Sequence, residues 1–374
     1  MRVCFIEDTK LHGGTQIWVA EAVKDFINRG ADVTVLTPES GWVAEHSFAN
    51  GAKVVTYDYE KVIAQDEENI NIWAEALCDS DVAVCTVHPP REGFHCSVFA
   101  GRVISEKKLK TILMPKTGTI VPEYKREYYA PNYDIKYKVV VITDFTRRYL
   151  IDTYKIPAEN IELIYQGTDV TRFTKNPDNL PKAKETYPLP ENAAPILGSV
   201  GSFEERKGQV VFLEALQKMK EKLPDVHLML VGDGPDEEML KEKVKEMDLE
   251  NSVSFFPFTS HPELIFETID ILVLSSLYKE GLPNVLLEAM SMELPVVSSN
   301  LAGVPEIVKN GETGYMVKPG DIDELSEAVV KLWSDKIIYN IMAKNARKLM
   351  EDNFDKKRQF GEFLNYFKQL KATK

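Results

Sequence analysis

Two glutamates, Glu280 and Glu288, bracket a Pro283-Asn284 step in the segment EGLPNVLLEAM. The strand-like run Ile271–Leu274 precedes them, and an apolar helical pattern follows. Proline in the first turn of a helix leaves backbone N–H groups free, and the helix dipole adds positive potential at that end. Such an end suits a diphosphate. Carboxylates beside a phosphate repel it, so Glu280 and Glu288 make better acceptors for sugar hydroxyls than ligands for the anion. A glutamate near a helix start also serves as dipole compensation, and Asn284 also reads as a cap. The full string is more specific than any of its parts.

Other candidates are less specific. Cys85, His88, His95 and Cys96 are spaced C-x2-H-x6-H-C, which fits no common zinc pattern, and Cys85 falls inside an apolar strand. No metal site is expected. His88 closes that strand and is expected to contact a ligand there. Asp79-Ser80-Asp81 resembles a metal–nucleotide motif but precedes its strand, at the wrong end of a sheet for a ligand. The segment 122–138, rich in Tyr, Lys and Arg, suits a carbohydrate or an anionic surface, or is an ordinary half-buried stretch.

The elements that must position these residues alternate along the chain. Arg2–Ile6, Asp32–Leu36, Lys53–Tyr57, Val82–Val87, Thr111–Met114 and Lys138–Ile142 are short apolar runs of the kind buried on both faces of a sheet. Helical patterns such as Thr15–Arg29 lie between them. Residues 174–195 carry five prolines and little periodicity, which predicts a linker. The alternation restarts with Ile196–Val200, His227–Val231, Val253–Phe256, Ile271–Leu274, Pro295–Ser298 and Gly314–Val317. The pattern predicts an α/β chain of two Rossmann-like domains facing each other across a central cleft. The first domain spans 1–173, the linker 174–195 and the second domain 196–355. The last helix, from 356 to 374, is expected to join the first domain.

The chain has 374 residues, 44% hydrophobic and 28% charged, with 45 basic and 58 acidic side chains and a net charge of −13. That balance argues against a nucleic-acid partner held by broad phosphate neutralisation. Four cysteines are too few for a disulfide scaffold. No apolar run is long enough to span a membrane, and the opening MRVCFIEDTK is not a signal peptide. A cytoplasmic protein is expected, with peripheral contact at the inner membrane face through Lys107, Lys108 and Lys110 left open.

EGLPNVLLEAM, together with GVPEIV and NGETGYMV further on, resembles the retaining glycosyltransferases of family 4, which have the GT-B fold. GSVGSFEERKG at 198–208 and VGDGP at 231–235 are similar to the same family. The resemblance implies roles. Lys207 holds the donor diphosphate, Glu280 accepts from the sugar hydroxyls and Glu288 from the ribose. The backbone at Asn284 and Val285 meets phosphate, and Gly13 and Gly14 form a loop open to close approach. That glycine pair alone also reads as an ordinary tight turn. Two departures stand out. Ser202 occupies the position of a usual Arg, for which the neighbouring Arg206 is a candidate substitute. Lys116, or Thr117, occupies that of a usual His near the sugar.

The implied reaction is metal-independent transfer of a sugar, with no cofactor. The donor is a nucleoside diphosphate sugar, UDP favoured over GDP. The acceptor is a hydroxyl on a glycan, a lipid-linked acceptor or a small molecule. The alternatives are an epimerase or phosphorylase of the same fold, or a degenerate transferase acting as a scaffold.

Overall fold

Short runs of β-branched and apolar residues build two parallel sheets. The computed structural model describes residues 1–10, 13–63, 66–87 and 95–373. Its first sheet contains β1 (Arg2–Ile6), β2 (Asp32–Pro38), β3 (Lys53–Tyr57), β4 (Val82–Val87), β5 (Ile112–Thr117), β6 (Val139–Val141) and β7 (Ile161–Leu163). The spatial order is β3-β2-β1-β4-β5-β6-β7. The second sheet contains β8 (Ile196–Val200), β9 (His227–Val231), β10 (Val253–Phe256), β11 (Ile271–Leu274), β12 (Val296–Ser299) and β13 (Gly314–Val317), in the order β10-β9-β8-β11-β12-β13. All of these strand pairs are parallel. In each sheet the order reverses beside the first strand, between β1 and β4 and between β8 and β11. Such reversal points open a ligand crevice at the carboxyl ends of the strands.

Burial explains the apolar runs. Successive side chains of β1 go to opposite faces. Val3 and Phe5 pack with Trp18, Phe26, Phe360 and Phe363, while Cys4 and Ile6 pack with Trp73 and Phe99. β4 and β5 are buried at every position, as strands covered by helices on both faces must be.

The chain divides into two compact units, 1–165 with 357–374, and 166–356. The expected boundary at 174–195 is therefore corrected. That stretch forms a turn at Pro177–Asn179 and a helix at Leu180–Thr186 inside the second unit. Ala183 and Tyr187 are buried, and the Tyr187 ring meets Phe256 edge-on at 5.1 Å. The prolines start and stop local elements there instead of marking a free span. At the edge of this unit Thr168 N–H donates to Phe354 O at 2.8 Å, and Lys356 N–H donates to Thr168 O at 2.9 Å. A Cβ on Gly167 would lie 2.7 Å from the Lys356 backbone, so only glycine allows the two segments to touch.

A candidate donor site at the reversal point of the second sheet

The carboxyl ends of β8 and β11 bring Lys207 and Glu280 together. After β8 the chain makes a short 3-10 turn at Glu205–Lys207, and Gly208 ends it at φ +67. A Cβ at Gly208 would collide with the Ser275 carbonyl, and φ there favours glycine. The turn is fastened to the loop after β11 by two bonds. Leu277 N–H donates to Arg206 O at 2.8 Å, and Ser275 Oγ donates to Lys207 O at 3.0 Å.

On this frame Lys207 Nζ lies 2.6 Å from Glu280 Oε1, which also accepts from Ser276 Oγ at 2.6 Å. Arg206 Nη1 is 3.5 Å from the same oxygen, and its Nη2 pairs with Glu204 at 2.6 Å. The Glu280 side chain is only 6% exposed, so its charge is held among cations and a hydroxyl. A hydrogen bond from Ser202, helped by Arg206, holds the Glu204 carboxyl below its ordinary range. Ser202 thus supplies a hydroxyl where the family resemblance implies a cation, and Arg206 is the second guanidinium or ammonium of the cluster.

The helix Asn284–Ser291 follows with no side-chain cap at its start: Pro283 makes none, and the first turn holds no acidic residue. Asn284 is exposed and its Oδ1 accepts from Gln166 Nε2 at 3.3 Å; Val285 and Glu288 are half-buried. Glu288 sits one turn into the helix. A cavity of about 430 Å³ adjoins the ends of β9 and β10, lined by Gly232, Asp233, Phe255 and Phe258 among others.

The first unit places the remaining candidates separately. Gly13 is extended (φ −166) and precedes the helix Gly14–Asn28, which has no side-chain cap and no first-turn acid. His88 lies outside the described residues. Lys116 is not a loop residue: it lies within β5 and is buried, with Nζ 3.9 Å from the centre of the Trp18 ring. Desolvation lowers its pKa to about 7, and the charge of Glu7 opposes that shift. Thr117, the other residue considered at this position, ends the same strand and is also buried. His95 and Cys96 do converge, with Asp8 as third partner, their ligand atoms within 4.8 Å of one another. His95 caps the helix Cys96–Glu106 by accepting from Ser97 N–H through Nδ1, and burial pushes the Cys96 thiol well above its usual range. Asp8 also accepts from Cys96 N–H, so the three side chains meet at the start of that helix.

Sequence reasoning missed Ser276, whose only signal is its place just past a buried strand. It also passed over Glu7, although an acidic residue directly after a central apolar strand is an available clue.

Residues 182–349 match the family described as glycosyl transferases group 1. That match covers less than half of the chain and makes its second unit similar to the group 1 glycosyltransferases. An uncharacterized glycosyltransferase of Haemophilus influenzae is 36% identical over 155 residues, 41% of this chain and 44% of that protein. The match thus spans less than half of that relative's length. An N-acetyl-alpha-D-glucosaminyl L-malate synthase of Bacillus anthracis is 24% identical over 91% of this chain and 90% of its own. Among solved structures, Anabaena HepE in complex with UDP has a TM-score of 0.85 at 18% identity, covering 99% of this chain and 100% of that one. The fold of this chain is therefore GT-B, with two Rossmann-like units. No helix among its described residues is long and apolar enough to cross a membrane.

Proposed function

We propose that the protein transfers a sugar, with retention, from a nucleoside diphosphate sugar to an acceptor hydroxyl, without a metal. The observation that carries this reading is the Lys207–Glu280 pair at the reversal point, beside the uncapped Asn284 helix. An ammonium has three donors, so Lys207 can keep Glu280 and still meet diphosphate oxygens. Arg206 and the backbone N–H groups at Asn284 and Val285 add positive potential where the leaving group gathers charge. Glu280 then offers oxygens to the sugar hydroxyls and Glu288 to the ribose. With leaving-group charge met by these groups, no divalent cation is required.

UDP is the favoured nucleotide, in line with the UDP bound to Anabaena HepE, and the acceptor is a glycan, a lipid-linked glycan or a small molecule. The test is incubation with UDP- and GDP-sugars in EDTA, following donor hydrolysis and transfer, with the product anomer read by NMR. Retained configuration at an undiminished rate in EDTA is expected. Inversion, or loss of turnover restored by a divalent cation, overturns the reading. Isomerised donor with no transfer points instead to an epimerase.

A further inference from the structure

Asp8, His95 and Cys96 are three buried side chains that the chemistry above leaves unused. Asp8 stands just past the end of β1, while His95 and Cys96 open the helix Cys96–Glu106. One oxygen, nitrogen or sulfur atom from each lies within 4.8 Å of the other two. A carboxylate, an imidazole and a thiolate are the ligand types that zinc takes from proteins. Bonds of about 2.0–2.3 Å to a tetrahedral ion put its ligand atoms about 3.3–3.8 Å apart, so side-chain shifts of about 1 Å close the set. No spacing rule along the sequence finds it, because Asp8 is 88 residues from Cys96.

The surroundings hold each group in place. Asp8 Oδ2 accepts from Cys96 N–H at 2.9 Å, and a carboxylate keeps a second oxygen for a cation. Ser97 Oγ lies 2.7 Å from His95 Nδ1 and donates to Tyr128 O at 2.9 Å. The Tyr128 ring stacks on the imidazole with centres 4.1 Å apart. Cys96 shares an apolar cluster with Ile6 and Phe99. Hydrogen bonds that orient the ligands and a dry apolar shell are what support a metal centre.

We propose that Asp8, His95 and Cys96 bind one zinc-class divalent cation, which pins the end of β1 to the start of the helix Cys96–Glu106. Water fills the fourth position, or Cys85, whose thiol hydrogen-bonds to that of Cys96. On binding, the Cys96 S–H bond breaks, its proton goes to solvent and a sulfur–metal bond forms, with no change of oxidation state. All three ligands belong to the first unit, whereas Lys207 and Glu280 belong to the second, and the cation carries no step of the transfer.

The test uses the whole chain, stripped with EDTA and dialysed, with Zn²⁺ and Co²⁺ as probes. Calorimetry should find one equivalent of Zn²⁺ bound with Kd below about 1 µM and about one proton released per ion, read from the buffer dependence of the heat. Co²⁺ should give a thiolate charge-transfer band and the strong visible bands of a four-coordinate ion, a readout that needs neither variant nor substrate. Asp8→Asn and Cys96→Ser should each weaken Zn²⁺ by at least about tenfold. Cys78→Ser, which removes the exposed cysteine, should leave its affinity unchanged. Zn²⁺ should raise the melting temperature, and turnover well below that temperature should not depend on it.

Binding of well under one equivalent overturns the site. So does a Co²⁺ spectrum without the thiolate band, which marks an adventitious ion only, and this reading in the parent decides should either variant fail to fold. Parental affinity in both Asp8→Asn and Cys96→Ser overturns the ligand assignment. Turnover that falls on stripping and returns with Zn²⁺ counts against metal-independent transfer, while the Co²⁺ band still upholds the site.

Discussion

Glu280→Gln separates holding Lys207 from binding sugar. Glu280 Oε1 takes two short bonds, from Lys207 and Ser276, and a longer one from Arg206. Glutamine keeps the size and one acceptor oxygen but loses the charge. A bond involving a charged group contributes about 1.5–3 kcal/mol against about 0.5–1.5 for a neutral one. The Lys207 side chain is 17% exposed, so solvent screening lowers the difference, and about 1 kcal/mol is a fair value for its weakened hold. That fraction of the ammonium is freed for phosphate. Calorimetry should therefore find UDP binding unchanged or up to about fivefold tighter. A lost charged acceptor for the sugar hydroxyls should slow turnover of the nucleotide sugar by about 10–100-fold. Lys207→Met should weaken both ligands by at least tenfold. If Glu280→Gln weakens UDP and the nucleotide sugar equally, Glu280 acts only by placing Lys207, and the assignment to the sugar is wrong.

Lys116 should shape the pH dependence of stability. Its pKa falls from 10.5 unfolded to about 7 folded, so the unfolded chain holds the extra proton between those values, and stability rises with pH across that window. Urea midpoints at pH 7 and 9.5 should show the rise, and Lys116→Met should flatten it; an unchanged slope refutes the role. Gly208→Ala should destabilise the second unit by at least about 2 kcal/mol, read as a lower melting temperature, because the left-handed φ and the Ser275 carbonyl both oppose a Cβ. Arg347 Nη1 donates to the carbonyls of Val170 and Phe173 at 3.0 and 2.7 Å, so Arg347→Met should cost about 2–3 kcal/mol in the same melt, and a neutral result would show that water replaces it.

Much of the architecture is legible in the sequence because parallel strands covered on both faces must be continuous apolar runs. Arg2–Ile6, Val82–Val87 and Ile271–Leu274 are such runs, and the structure keeps their limits. β7 escaped notice because three residues, Ile161–Leu163, give no period to detect. The ends of β5 shifted because Pro115 and Lys116 look like a loop, whereas pairing with Cys85 and Thr86 draws both into the sheet. The candidate donor-site residues were legible as a string, Glu280 through Glu288. The partnership of Lys207 with Glu280, 73 residues away in the chain, was not, since only the reversal of strand order brings β8 beside β11. Residues 174–195 misled for a related reason: prolines signal a break in local structure, and nothing local reports that Tyr187 finds Phe256.

The touch between Gly167 and Lys356 makes residues 166–356 an insert with adjoining ends. A segment that leaves its host chain and returns at nearly the same place can be lifted out without stretching either part. Tyr165 and Lys357 are each one or two residues from the contact, so a linker of a few glycines should rejoin the host across about 10 Å. The insert, clipped at its base by Thr168 with Phe354 and Lys356, should serve as a transplantable cassette. The corresponding units of other chains of this fold would then be exchangeable at a single seam, and chimaeras cut at 165/166 and 356/357 should fold where cuts at the proline-rich 174–195 fail.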